Sequence, residues 1–267
     1  MPMPRHYWAQ YRTTEFAGFD PARTIAVLPT AAIEQHGPHL PVGVDSMIGQ
    51  GMLDTLTGLL DGVEDIRVLI LPVQCVGKSN EHLHAPGTVT LTAATAIEAW
   101  TQIGLAVARA GLRKMAIVNS HGGNVDMNSI VARELRVRAD MLVGKAHWGA
   151  FGTPEGMFSA REKTYGIHGG DVETSLMLHF RPELVAMAQA QIFASTAEGM
   201  DGFTHLRPTG ATSYGWISSD LNPAGTVGEA ALATAEKGAA TARHQAEGFL
   251  TFLRELADFE LPGRAGA

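Results

Sequence analysis

The chain has 267 residues, 45% of them hydrophobic and 18% charged, enough for one large core. A net charge of -7 with no basic block gives sequence-independent nucleic-acid binding little support. No run approaches the roughly 18 apolar residues that would span a membrane. The opening MPMPRHYWAQ has no apolar signal core. Cys75 is the one cysteine, so an intramolecular disulfide is excluded and a reducing cytoplasm is the expected location.

In chain order, residues 24–28 read as a strand stopped at Pro29, and 46–60 as a helix. Residues 66–71 (IRVLIL) read as a second strand ended by Pro72, 92–110 as an Ala-rich helix, and 114–118 as a third strand. A helix over 125–139 and a fourth strand over 141–146 follow. Beyond these, 171–180 reads as a helix, 193–226 as irregular, and 227–256 as one long helix with an apolar stripe. Short apolar runs alternating with helices predict α/β architecture, a mainly parallel sheet with helices on both faces. No repeat or linker divides the chain, so residues 1–267 read as one domain.

Polar groups cluster after the predicted strands. Glu34 and His36 follow the first strand, and Ser79, Glu81, His82 and His84 the second. Asn119, Ser120, His121 and Asn124 follow the third, and His147 and Trp148 the fourth. Sites in open α/β sheets lie outside the carboxyl ends of the strands, and the loops at the opposite edge, near Gly62 and Gly111, carry no histidine.

The richest stretch is VLPTAAIEQHGPHLPVG with Asp45 just beyond it. Glu34 and His36, two apart in an extended segment, point the same way, and a short Pro- and Gly-restrained loop returns Asp45. Carboxylates and imidazoles so grouped suit a divalent transition metal, although a polar loop with incidental histidines has the same composition. His121 in NSHGGNVD reads as a further ligand. In HGGDVETS, His168 precedes Asp171 and Glu173, acids that a helix's first turn favours on its own account. His39 is placed to hydrogen-bond a ligand carboxylate. Ser79, Glu81 and His82 read as touching substrate or steadying a ligand, with loop anchoring the alternative. Neither Ser79 nor Ser120 sits in a GxSxG elbow, so a serine nucleophile is disfavoured.

The segments LPTAAIEQHGPHLPVGVDSMIG, GKSNEHLHAPGTVTL, NSHGGN, HGGDVETS and GTVGEAALATAEKG together resemble the successive signature blocks of the creatininase (creatinine amidohydrolase) family, across residues 25–246. The resemblance implies a three-layer α/β/α sandwich, often hexameric, with two divalent ions (Zn, Mn or Fe) and hydrolysis of C–N bonds in cyclic amides, formamides and related small molecules. By position it implies Glu34 and His121 on one metal, His36 on the other, Asp45 bridging, and His168 assisting proton transfer. In such a mechanism loop N–H groups near Gly122 and Gly123 would help to stabilise the substrate's tetrahedral oxyanion, and His168 or Glu173 would protonate the leaving amine.

Where creatininase has a metal-binding glutamate two residues after the histidine matching His121, this chain has Gly123. Glu173 is the expected substitute ligand, with Asp171 second. The HGGN form resembles branches that remove a formyl group or trim a cofactor-precursor peptide. The residues before His168 are Tyr165, Gly166 and Ile167, without evident matches to the aromatics that enclose creatinine, which argues against that substrate. A non-hydrolytic metal-binding scaffold and a two-metal isomerase or lyase remain the alternative classes.

Overall fold

The computed structural model describes residues 5–200 and 202–261. Among them, four strands form one fully parallel sheet: β1 (Thr24–Thr30), β2 (Arg67–Ile70), β3 (Lys114–Asn119) and β4 (Leu142–His147), in the order β2-β1-β3-β4. The helices are α1 (Val44–Leu60), α2 (Ala93–Arg109), α3 (Val125–Ala139), α4 (Ala160–Tyr165), α5 (Asp171–Phe180), α6 (Ser218–Leu221) and α7 (Ala235–Asp258), with short 3-10 turns between them.

Alternation along the strands divides the core in two. Ile25, Val27, Val68, Ile70, Ala116 and Val118 pack with α1, α5 and α7 on one face. Ala26, Leu28, Leu69, Met115 and Ile117 pack with α2 and α3 on the other. The result is the three-layer α/β/α sandwich, and β1 and β3 are apolar throughout because both faces are covered. Each fully buried Leu, Ile or Phe in these layers contributes about 1.5–3 kcal/mol.

Most boundaries lie within a residue or two of the sequence reading, and two of the differences have an identifiable cause. β1 runs on through Pro29 to Thr30. Pro29 lacks an N–H on the side where β2 has already ended at Ile70, while its carbonyl accepts from Gln74 N at 2.9 Å. The last helix begins at Ala235, not Val227. Val227 and Gly228 are committed to bridges with His168 and Phe193, and Thr234 then caps the helix through Lys237 N. No helix among the described residues is long and apolar enough to cross a membrane.

The strand order reverses between β1 and β3, so the crevice at their carboxyl ends is the topological switch point.

Candidate active site

The segments leaving β1 and β3 deliver the first groups to that crevice. Glu34 N donates to Val42 O at 2.8 Å, which folds residues 34–42 into a closed loop and returns the chain to Asp45 in the first turn of α1. Ser120 Oγ donates to Asp45 O at 2.8 Å and ties that turn to the end of β3. Glu34, His36, Asp45 and His121 are all at most 4% exposed.

Glu34 Oε1 is the hub. Ring nitrogens surround it: His121 Nδ1 at 3.2 Å, His82 Nε2 at 3.5 Å, His168 Nδ1 at 3.6 Å and His36 Nε2 at 3.9 Å. Asp45 stands 3.4 Å from His36 Nε2 through Oδ1 and 3.3 Å from His121 Nδ1 through Oδ2. Glu173 Oε2 lies 3.8 Å from His36 Nε2. The rings of His82 and His168 stack with centroids 4.3 Å apart, and the His36 ring lies 4.2 Å from that of His168, tilted by 32°.

The outward nitrogens fix most of these rings. His36 Nδ1 donates to Glu34 O at 3.0 Å, His121 Nε2 to Lys78 O at 2.9 Å, and His168 Nε2 to Gln35 O at 2.7 Å. Each main-chain carbonyl holds the outward hydrogen and leaves the inward nitrogen as the lone-pair position, the arrangement that orients metal-binding imidazoles. Glu34 Oε2, His36 Nε2 and Asp45 Oδ2 are buried without a hydrogen-bond partner among the described residues. Buried carboxylate oxygens and imidazole lone pairs aimed at one another are costly unless positive charge lies between them. The donor set therefore fits a divalent cation, and three groupings have ligand atoms within 4.8 Å of one another: Glu34, His36 and His168; Glu34, Glu81 and His121; His36, Asp45 and Glu173.

The protonation equilibria carry the same signature. Burial alone would lower the pKa of His36, but Asp45, Glu173 and Glu34 outweigh it and hold the ring up at about 9. His121 is likewise raised, against burial, by Glu34 and Asp45. Burial opposes ionisation of Glu34, yet His121 holds its carboxyl down at about 2, and Asp45 is lowered against burial by His36 and His121. Protons thus gather where a cation would displace them. His168 is different: burial, reinforced by His36, pushes it well below the usual imidazole range, so its inward Nδ1 stays a lone pair. Glu173 is pushed up to about 7, chiefly by burial, with His36 opposing.

The residues singled out from α5 separate. Glu173 reaches the cluster and also accepts from Gly169 N at 2.6 Å. Asp171 does not reach it. Its carboxylate pairs with Lys237 Nζ at 2.6 Å and accepts from Ser175 Oγ at 3.0 Å, which fastens α5 to α7. Glu162 on α4, which the sequence reading passed over, holds the start of α5: its carboxylate accepts from Val172 N at 3.2 Å and Glu229 N at 2.7 Å. His39 does not bond a ligand carboxylate. Its Nε2 meets Thr174 Oγ1 at 2.9 Å and its ring stacks on Phe193, and burial lowers its pKa to about 4.

Among the remaining residues, Ser79 Oγ lies 3.3 Å from His121 Nε2. Glu81 Oε1 is 3.6 Å from the same nitrogen, with Oε2 on Lys78 Nζ at 3.2 Å. His84 is exposed, 3.5 Å from Ser218 Oγ. Gly122 is open to solvent at the mouth. A Cβ at Gly123 would collide with Glu81 Oε1 and His121 Nε2, so the volume beside that glycine already belongs to Glu81. Beside Glu173 a cavity of about 580 Å³ opens, lined by Trp148, Ile167, Leu176 and Lys163 among others.

An α/β/α sandwich carrying a buried carboxylate–imidazole cluster at its switch point has the layout of an enzyme whose residues could hold a metal. The family model for creatininase, described as creatinine amidohydrolase, matches residues 9–253, and the chain belongs to the creatininase family. A mycofactocin precursor peptide peptidase from Mycolicibacterium smegmatis is 27% identical over 214 residues, 80% of this chain and 78% of that protein. A creatinine amidohydrolase from Pseudomonas putida is 29% identical over 67% of this chain and 71% of its own. A 3-dehydro-scyllo-inosose hydrolase from Thermotoga maritima is 24% identical over 87% and 76%. A creatininase structure described with Mn superposes with a TM-score of 0.72 at 24% identity, over 94% of this chain and 98% of that one, a likeness of fold. Members of this family hydrolyse amide bonds.

Proposed function

We propose that this protein is a metal-dependent amidohydrolase that cleaves a C–N bond in an amide substrate by attack of water. The single observation that carries the reading is the convergence of Glu34, His36, Asp45, His121 and Glu173 on one buried crevice, with Glu34 Oε2, His36 Nε2 and Asp45 Oδ2 unpartnered. Those five residues would hold two divalent ions, Zn, Mn or Fe. Bound cations supply positive charge that polarises a carbonyl and acidifies water.

The chain's own groups do the rest. His168 Nδ1, a lone pair facing the crevice, takes the proton from attacking water. His168 then returns that proton to the leaving amine; Glu173 takes this duty only when it is not holding a cation, which would keep its carboxylate ionised. Ser79, Glu81 and the exposed backbone of Gly122 flank the substrate's approach.

Peptide trimming is the more specific reading for the substrate. The cavity of about 580 Å³ beside Glu173 is larger than a single small ring needs, and Trp148, Ile167 and Leu176 give it apolar walls. A relative named as a mycofactocin precursor peptide peptidase aligns over 80% of the chain. Assembly into a homo-oligomer, as the resemblance implies, would cover exposed Phe203, Leu206 and Ile217.

The test is metal analysis of purified protein, followed by a screen of formamides, lactams, cyclic ureas and short peptides for amine release. About two ions per chain with turnover is the expected outcome. Tight metal binding with no turnover on any amide would leave a scaffold instead.

A further inference from the structure

His82 differs from the other three rings around Glu34 in the sign of the group it presents. Its outward Nδ1 lies 2.7 Å from Gln35 Nε2. Which end of the Gln35 amide is nitrogen follows from its other neighbours. Gly37 N donates to Oε1 at 2.9 Å, and Nε2 donates to the carbonyl of Gly225 at 2.5 Å. Turned over, the amide would set oxygen against a carbonyl and NH2 against an N–H. The two amide hydrogens go to the two nearest of four neighbours, the Gly225 carbonyl and His82 Nδ1, while Ser218 Oγ at 3.1 Å and His168 Nε2 at 3.3 Å are left without one; His82 Nδ1 therefore accepts, and the ring's hydrogen falls on Nε2, facing inward 3.5 Å from Glu34 Oε1. Gln35 also sets the neighbouring ring, because its main-chain carbonyl accepts from His168 Nε2 at 2.7 Å and leaves Nδ1 bare. One buried residue thereby gives two stacked imidazoles opposite polarity: His82 a donor, His168 an acceptor.

We propose that Gln35 is a positioning residue that locks His82 as a neutral hydrogen-bond donor facing the crevice, and that this N–H serves the acyl oxygen of the substrate. A neutral imidazole is a poor proton source, so the role is charge stabilisation by a fixed donor, not proton transfer. At 3.5 Å the N–H is not spent on Glu34, and a substrate oxygen entering beside that carboxylate gives it an acceptor. The lock spans the chain: Gln35 Nε2 also lies 3.1 Å from Ser218 Oγ, and a Cβ at Gly225, where φ is +77°, would strike the Gln35 amide. The 217–228 segment, made of α6 and the loop after it, therefore holds the donor in place.

The donor role rests on the hydrolase reading, whereas the lock does not, and the experiment has one arm for each. Ring-nitrogen NMR on zinc-loaded, 15N-histidine-labelled protein reads the tautomers without turnover. The expected wild-type spectrum has His82 protonated at Nε2. Gln35→Glu, whose carboxylate accepts, should move that hydrogen to Nδ1 and leave His168 unchanged, because His168 depends on the main chain. His82 protonated at Nδ1 in the wild type, or an unmoved tautomer in Gln35→Glu, overturns the lock. In the second arm, on an amide the wild type hydrolyses, His82→Leu should lose about 10²-fold or more in kcat with KM little changed. His82→Gln, which keeps an N–H near the Nε2 position, should retain part of that rate. Equal losses in both variants overturn the donor role. A wild type that hydrolyses no amide removes the reaction and the donor role together, while the ring spectrum still decides the lock.

Discussion

His36 Nε2 stands 3.4 Å from Asp45 Oδ1 and has no hydrogen-bond partner among the described residues, while Nδ1 of the same ring is held by the Glu34 carbonyl at 3.0 Å. The ring cannot turn away without breaking that bond, so the lone pair is aimed at a carboxylate and requires a cation or a proton between them. His36→Ala or Asp45→Asn should reduce bound metal to background and abolish amide hydrolysis. The sheet should survive, since neither side chain belongs to the two apolar layers. Elemental analysis alongside circular dichroism checks this, and a folded His36→Ala protein with full metal content would refute the assignment.

The metal-free protein should be most stable near pH 6.5. His36 and His121 have pKa values raised above the unfolded value, so their contribution is complete below about 6.5. For His36 it is lost as pH climbs through about 9. His39, His82, His168 and His147 are lowered by burial, so the unfolded chain takes up protons before the folded one as pH falls below about 6.5, and stability drops on that side too. Raised Glu173, between its unfolded range and about 7, and raised Glu162 oppose the acid-side slope, two carboxyls against these four histidines and His6, which burial also lowers. Zinc should remove the alkaline decline by taking the place of the protons. Thermal melts from pH 5 to 9, with chelator and with zinc, read both slopes.

Much of this centre was legible in the chain. Glu34 and His36 are two apart on an extended segment, and the closed loop that returns Asp45 follows from its prolines and glycines. The strand ends are read to within two residues because each is a short apolar run bounded by turn residues. What escaped depends on partners remote in sequence. The polarity of His82 is set by Gln35 and Gly225, which are 190 residues apart. Asp171 and Glu173 look alike in HGGDVETS, and only Lys237, 66 residues on, decides that Asp171 is a tie between helices. Glu162 sits in an ordinary helical pattern and acquires its role from backbone N–H groups of α5 and the segment near Glu229.

Glu173 and Asp171 should therefore give opposite phenotypes. Glu173→Gln keeps the bond from Gly169 N but removes the charge beside His36, and should lower metal stoichiometry or affinity with little change in melting temperature. Asp171→Asn leaves Lys237 without its carboxylate in a half-buried setting and should cost about 1–3 kcal/mol with metal content intact. At roughly 2–4 °C per kcal/mol for a chain of this size, the difference is readable by calorimetry.

Gly123 marks where this chain departs from the creatininase pattern, and the departure is not reversible by one substitution. A Cβ there meets Glu81 Oε1, His121 Nε2 and the Lys78 carbonyl. The carboxylate can swing aside, but the ring is pinned to that same carbonyl at 2.9 Å and the carbonyl belongs to the backbone. Gly123→Ala should cost about 1–3 kcal/mol through this overpacking and should disturb the metal site through His121. Gly123→Glu should not raise metal stoichiometry, because its carboxylate would have to expel Glu81 and displace His121 to reach the crevice. Adding Glu81→Ala to Gly123→Glu relieves one of the three collisions, so melting temperature should partly recover while metal content stays below wild type. A Gly123→Glu protein with full stability and extra bound metal would show that the glycine is a neutral replacement and that Glu81 has no claim on the space.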